Sequence, residues 1–234
     1  MASKHHNVMV PHKSDPNPST PTLLTLQTEP KFAIGQRAFI IRTPAGNVMW
    51  DCLTYLDTAT ISTIQKIGGL AGIVISHPHF YATHLLWAQV FNCPIYLASD
   101  EKEWLSQPDD VEVTYPREEK GDPDMPTIPG AMPDVETGSA RVFIEGGPGS
   151  EMEIKGKDGK STGVTAYKVG GHFPGSLVLN WENRLFTADT LMPTPSGIGK
   201  FKKGMNSFVF MWSYPNVSRT TPSSHNHNSS RDGY

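Results

Sequence analysis

The stretch ISHPHFYATH, Ile75–His84, holds three of the chain's nine histidines. Alternate residues of an extended segment point the same way. His77 and His79 can therefore face one point in space, with Pro78 stiffening the backbone between them. Neutral imidazole is a zinc ligand at about 2.0–2.1 Å. The plainer reading of the pair is a polar strand end carrying two surface histidines. Five other histidines, His5, His6, His12, His225 and His227, stand in polar text near the two ends. That leaves His84 and His172 to join the pair. His172 lies in VGGHFPGS, where the glycines permit tight turns and close backbone approach. Asp189, in LFTADT, follows an apolar run and offers a carboxylate; taken alone it reads equally well as a turn residue or helix cap.

Elements that could hold these side chains are visible on either side of them. AFIIRTPAGNVMWD, Ala38–Asp51, reads as two strands around a Pro-Ala-Gly-Asn turn. Asp57 can cap a helix carrying Ile61, Ile64 and Ile67, ended by Gly68-Gly69. Ala71–Ile75 reads as a buried strand with His77 just past its end. A helix is expected from Phe80 to about Phe91, then a strand over Pro94–Ala98. Strand and helix thus alternate in the first half, which favours a sheet with crossover helices. Residues 106–138 are rich in Pro, Asp and Glu and read as a long surface loop. Beyond them, Val142–Glu145, Met152–Lys155 and Val164–Val169 are expected as antiparallel strands. Ser176–Trp181 and Arg184–Thr187 flank Glu182-Asn183 as a hairpin, and Ser207–Trp212 is one more apolar strand. Residues 1–30 and 217–234 lack periodicity and read as a disordered arm and tail around one domain at 31–216.

Bulk composition narrows the function. A chain of 234 residues can build a core without disulfides. Its formal net charge is −3 and it has no Lys/Arg block, which argues against nucleic acid or an anionic membrane as the main partner. Two cysteines, Cys52 and Cys93, are too few for a disulfide framework and read as free buried thiols. No apolar run reaches the ~18 residues of a membrane span, and the N-terminus lacks the apolar core of a signal peptide. A cytoplasmic protein acting on a small molecule is the expectation.

In order along the chain, Met49-Trp50-Asp51, His77-Pro78-His79, Gly171-His172-Phe173-Pro174-Gly175-Ser176 and Thr187-Ala188-Asp189-Thr190 resemble the motifs of the metallo-β-lactamase fold superfamily. The likeness spans about residues 33–216. It implies an αββα sandwich with a metal site at one edge, in which His77, His79 and His172 form the three-histidine site and Asp189 is the carboxylate. Two positions depart from the pattern. Where the family carries Asp-His as second-metal ligands, this chain has Tyr81-Ala82; tyrosine, with a pKa near 10, is a poor zinc ligand at neutral pH, and alanine offers nothing. His84 can compensate in part, since three positions past Tyr81 it shares nearly the same helix face. The HPH-F-Y wording is similar to that of a divergent subgroup. Compared with the resembled fold, the chain is expected to be shortened after residue 216, and so to self-associate and to lean on metal for stability.

The function implied is hydrolysis of a small ester, thioester, lactone or amide by one metal per chain. Zinc is the first expectation; iron and manganese also suit His/Asp donors. A zinc-activated water supplies the nucleophile, Asp189 holds it, and Tyr81 donates to the oxyanion. The alternative is a non-catalytic member whose site has decayed to metal or ligand binding, or a chain cut too short to act.

Overall fold

Adjacent apolar residues such as Ile40-Ile41 and Met49-Trp50 face opposite ways from one strand, so a sheet built from them must be covered on both sides. The computed structural model describes residues 4–15, 19–31, 34–106, 141–193 and 208–210. Its larger sheet takes seven strands in chain order: β1 (His6–Pro11), β2 (Leu23–Glu29), β3 (Arg37–Thr43), β4 (Gly46–Trp50), β5 (Gly72–Val74), β6 (Ile95–Ala98) and β7 (Arg141–Ile144). β1 to β4 are an antiparallel meander; β4 to β7 run parallel. The smaller sheet is an antiparallel meander of β8 (Glu151–Lys155), β9 (Ser161–Lys168), β10 (Leu177–Trp181) and β11 (Arg184–Phe186). β12 (Leu191–Pro193) pairs with β13 (Phe208–Phe210).

Period-2 alternation divides the core into two layers. Ile40, Met49, Ile73, Ile95 and Leu97 face helices α1 (Thr58–Lys66) and α2 (His84–Phe91), together with Ile64 and Trp87. Ile41, Val48, Trp50, Val74 and Tyr96 face the other way, onto Ile154, Val164, Ala166, Leu177 and Leu179 of the smaller sheet. Each fully buried side chain of this size contributes about 1.5–3 kcal/mol relative to exposure. The order helix, sheet, sheet gives three of the four layers of the expected αββα sandwich among the described residues.

Most expected elements stand where the residues placed them. Asp57 caps α1, its carboxylate accepting from Thr60 N–H at 2.7 Å. The Glu182-Asn183 turn joins β10 and β11, with Glu182 at φ 53°. Cys52 and Cys93 are buried free thiols.

Four expectations need correction. Residues 6–29 contain β1 and β2 rather than an unpatterned arm. Leu23, Leu24 and Leu26 are buried, and the cap this gives the sheet outweighs the polar composition around them. Phe80 does not begin a helix: Pro78–Phe80 is a single 3-10 turn and α2 starts at His84. β7 pairs parallel with β6 in the larger sheet, not with the antiparallel strands that follow it. Asp51, expected at a strand end, adopts φ 59° one residue after β4. The expected loop at 106–138, apart from Ser106, the tail at 217–234 and the histidines His225 and His227 lie outside the described residues.

Candidate metal centre

Parallel pairing brings the C-terminal ends of β4 and β5 side by side, and the site begins there. Asp51 N–H donates to the Val74 carbonyl at 2.8 Å, turning the chain off β4. Its carboxylate then accepts from Ser76 N–H at 2.7 Å and from Ser76 Oγ at 3.0 Å. Ser76 Oγ lies 2.8 Å from His77 Nδ1. Ser76 Oγ thus bridges the Asp51 carboxyl and His77 Nδ1, which leaves Nε2 turned toward the other donors. Such relays fix the tautomer of a ligating histidine. Asp51 is fully enclosed, and burial pushes its pKa up to about 8 despite the two bonds from Ser76.

The smaller sheet supplies the other half. Leu177 N–H of β10 donates to the Ser76 carbonyl at 2.8 Å, joining the sheets beside His77. Residues 169–176 between β9 and β10 fold into a closed loop: Val169 and Gly170 N–H both donate to the Ser176 carbonyl, and Phe173 N–H donates to Ser176 Oγ at 2.8 Å. Gly170 and Gly171 take φ of 69° and 104° there, values that glycine alone adopts freely. Glu101 accepts from Gly175 N–H, and a Cβ on Gly175 would sit 2.6 Å from that of Ala98. His172 hangs from this loop. Asp189 follows β11 in a 3-10 turn whose first residue, Ala188, is at φ 43°.

The four side chains converge. One donor atom from each of His77, His79, His172 and Asp189 lies within 4.8 Å of all the others. His77 Nε2 is 3.2 Å from His79 Nδ1 and 3.4 Å from Asp189 Oδ2. Asp189 Oδ2 is 3.8 Å from His79 Nδ1 and from His172 Nε2. A tetrahedral zinc with bonds of about 2.0–2.1 Å sets its ligand atoms roughly 3.3–3.4 Å apart. The donor set and its spacing therefore fit a divalent metal. Burial holds His77 below the usual imidazole range, even against the Asp189 carboxylate, and so keeps it neutral. The His77 ring, its Nε2 3.4 Å from Oδ2, holds Asp189 below its usual range, and so ionised. Both are the protonation states that metal binding requires.

Two residues expected at the site stand apart from it. His84 is buried on the helix side, with Nδ1 against the Tyr81 carbonyl and Nε2 accepting from Arg141 Nε at 3.0 Å. Burial lowers its pKa to about 4, Arg141 adding to the effect. Both ring nitrogens are engaged away from the four donors. Tyr81 packs in the same helix-side core, where burial raises the pKa of its hydroxyl. Ser76 and Glu101 were not singled out from sequence. Ser76 had only its place beside His77 to mark it, and Glu101 had no signal at all.

No protein-family model matches the sequence. The uncharacterized protein YmaE of Bacillus subtilis (strain 168) is 33% identical over 201 residues, covering 83% of this chain and 57% of that protein. The chain thus spans little more than half the length of that relative. Among solved structures, DIM-1 metallo-beta-lactamase shares 13% identity over 81% of this chain and 72% of its own, with a TM-score of 0.50. TTHA1623 in a di-iron-bound form shares 16% identity over 69% of this chain and 70% of its own, at a TM-score of 0.42. The two stacked sheets, the helices on the larger one and the order of the elements make this a protein of the metallo-β-lactamase fold. Among the described residues, no helix is long and apolar enough to cross a membrane.

Proposed function

We propose that this chain is a metal-dependent hydrolase with one metal per chain, acting on a small ester, thioester, lactone or amide. The observation that carries the proposal is the convergence of His77, His79, His172 and Asp189 within 4.8 Å. The positions that would complete a second site support a single metal, because Tyr81 is buried elsewhere, Ala82 has no donor atom and His84 is held by Arg141.

A divalent metal held by the three histidines, with Asp189 beside its open position, would acidify water and polarise a carbonyl. Everything else belongs to the chain. His77 and His172 have side chains only 1% and 4% exposed, whereas His79 and Asp189 are 46% and 42% exposed. The site is therefore closed from behind and open on the His79–Asp189 side. Ionised Asp189 faces that opening and can accept a proton from the attacking water. It can return that proton to the departing oxygen, sulfur or nitrogen. Water adds to the acyl carbon, the bond to the leaving group breaks, and a carboxylate and an alcohol, thiol or amine result. The Asp51–Ser76–His77 relay holds His77 in place throughout.

Zinc is our first choice of metal, with iron or manganese as candidates. The test is elemental analysis of chelator-washed, reloaded full-length protein, run beside hydrolysis of p-nitrophenyl esters and thioesters. One tightly held equivalent with metal-dependent turnover is expected. Two tightly held equivalents would refute the single-metal assignment. One equivalent without turnover on any acyl substrate would favour a metal-binding protein instead.

A further inference from the structure

A cavity of about 1020 Å³ opens beside the four donors, with His79 and Asp189 in its wall. That is at the upper end of the roughly 300–1,000 Å³ typical of small-molecule pockets. Its other walls include β3 and β11, one from each sheet, with residues 34–36 and 191–192 at the rim. Phe39 and Phe186 meet edge to face, ring centres 5.4 Å apart. Ile34, Leu185 and Met192 also line the cavity and are 72%, 58% and 46% exposed. Large apolar side chains left in water together, around one concavity, mark a surface that an apolar ligand covers.

The charges are as uneven as the apolar surface. Among the described residues, the carboxylates that line the cavity are Asp51 and Asp189, both at the donor cluster. Arg37 on β3 and Arg184 on β11 line it from the two sheets. Arg184 opens β11 and Asp189 lies three residues past its end. At ~3.3 Å per residue the strand alone carries the chain about 7 Å from Arg184 before the turn that holds Asp189. Arg184 donates to Glu182 at 2.8 Å and lies over the Trp181 ring, and Arg37 donates to Gln27 at 3.4 Å. Each bond uses one of five guanidinium donors. Both cations are near enough to His12 to lower its pKa, after burial, so that ring adds no charge of its own.

Building on the hydrolase reading above, we infer that the substrate carries an apolar chain or ring ending in an anionic group. Its acyl carbon sits at the donor cluster, its apolar part lies against Phe39, Phe186 and Leu185, and its anion rests between Arg37 and Arg184. Arginine pairs with carboxylate and phosphate alike through two parallel bonds.

The test is calorimetric binding to the zinc-loaded full chain. The probes are alkyl hydroxamic acids from butanoic to dodecanoic, each ending in a methyl, a carboxylate or a phosphonate. At one or more lengths an anionic end should tighten binding about ten-fold, and the tighter of the two names the anion. The double variant R37Q/R184Q should remove the difference while zinc content stays the same. Equal binding of methyl and anionic ends at every length overturns the inference, as does a preference that survives the double variant. Arginine-dependent binding without hydrolysis of the matching esters would leave the ligand class standing, an apolar body with an anionic end, and remove the hydrolase. Hydrolysis of those esters with no anionic preference would do the reverse.

Discussion

At the scale of single residues, the donor cluster divides labour between buried and open members. His79 offers its Nδ1 from the exposed side, 3.2 Å from His77 Nε2. We expect His79→Ala to remove both metal and hydrolytic activity, and His225→Ala and His227→Ala to change neither. Full metal content in the His79 variant, by elemental analysis, would sink the assignment. Asp51 gives a prediction in pH. Its folded pKa of about 8 is raised from 3.8. A raised pKa contributes stability fully present below pH 3.8 and lost as pH rises through about 8. Metal-free Asp51→Asn keeps an acceptor for Ser76 N–H but does not titrate. Its unfolding free energy should therefore fall less than that of the parent between those two values. Asp51→Ala leaves a buried N–H unpaired and should cost about 1–3 kcal/mol at any pH. Denaturant unfolding from pH 4 to pH 9 checks both, and parallel curves for parent and Asn variant would show that Asp51 is charged throughout.

At the scale of elements, the His172 loop depends on a short segment far from it in sequence. Four residues of the 99–104 segment, Ser99, Asp100, Glu101 and Trp104, hold the loop and the strand before it. Lys168, fully buried at the end of β9, donates to Asp100, Ser99 Oγ and the Gly146 carbonyl. Glu101 accepts from Gly175 N–H. Trp104 meets Phe173 edge to face with ring centres 5.4 Å apart. The loop approaches so closely that Gly175 has no room for a Cβ against Ala98 and Glu101. Overpacking of this kind costs about 1–3 kcal/mol. Gly175→Ala should therefore lower stability by that amount and weaken metal binding, because the shift passes to His172 three residues away. Unchanged zinc affinity in a destabilised variant would mean that the loop absorbs the strain without moving the histidine.

Across the whole molecule, the donors come from both sheets: His77 and His79 follow β5, while His172 and Asp189 belong to the smaller sheet. A metal held by the histidines from both sides, with Asp189 beside it, would clamp one sheet to the other and favour the folded chain. At a free concentration near a thousand times Kd, such a ligand adds about 4 kcal/mol. For a chain of this size that is roughly 8–16 °C in thermal midpoint. Scanning calorimetry with and without zinc reads it directly, and a midpoint indifferent to zinc would mean that the four side chains do not share one ion.

Local chemistry wrote much of this into the sequence. The apolar runs of AFIIRT and NVMW announced two strands, Asp57 announced the start of α1, and His77-Pro78-His79 announced two imidazoles side by side, although Pro78–Phe80 forms a 3-10 turn rather than an extended segment. Each of these depends on neighbours a few residues apart, so the chain shows it directly. What depended on distant pairing stayed hidden. The Pro- and Ser-rich context of residues 6–29 masked two strands, because an edge strand takes its order from the partner it pairs with. The place of β7 was decided by β6 rather than by its own residues. His84 looked available as a ligand until Arg141, 57 residues away, took its free nitrogen. Ser76 became part of a relay only when β4 and β5 lay parallel and brought Asp51 against it. The cavity between Arg37 and Arg184 exists only because two sheets stack. Spacing along the chain fixes which way neighbouring side chains point, but contact, burial and shared protons belong to residues that meet only in the folded state.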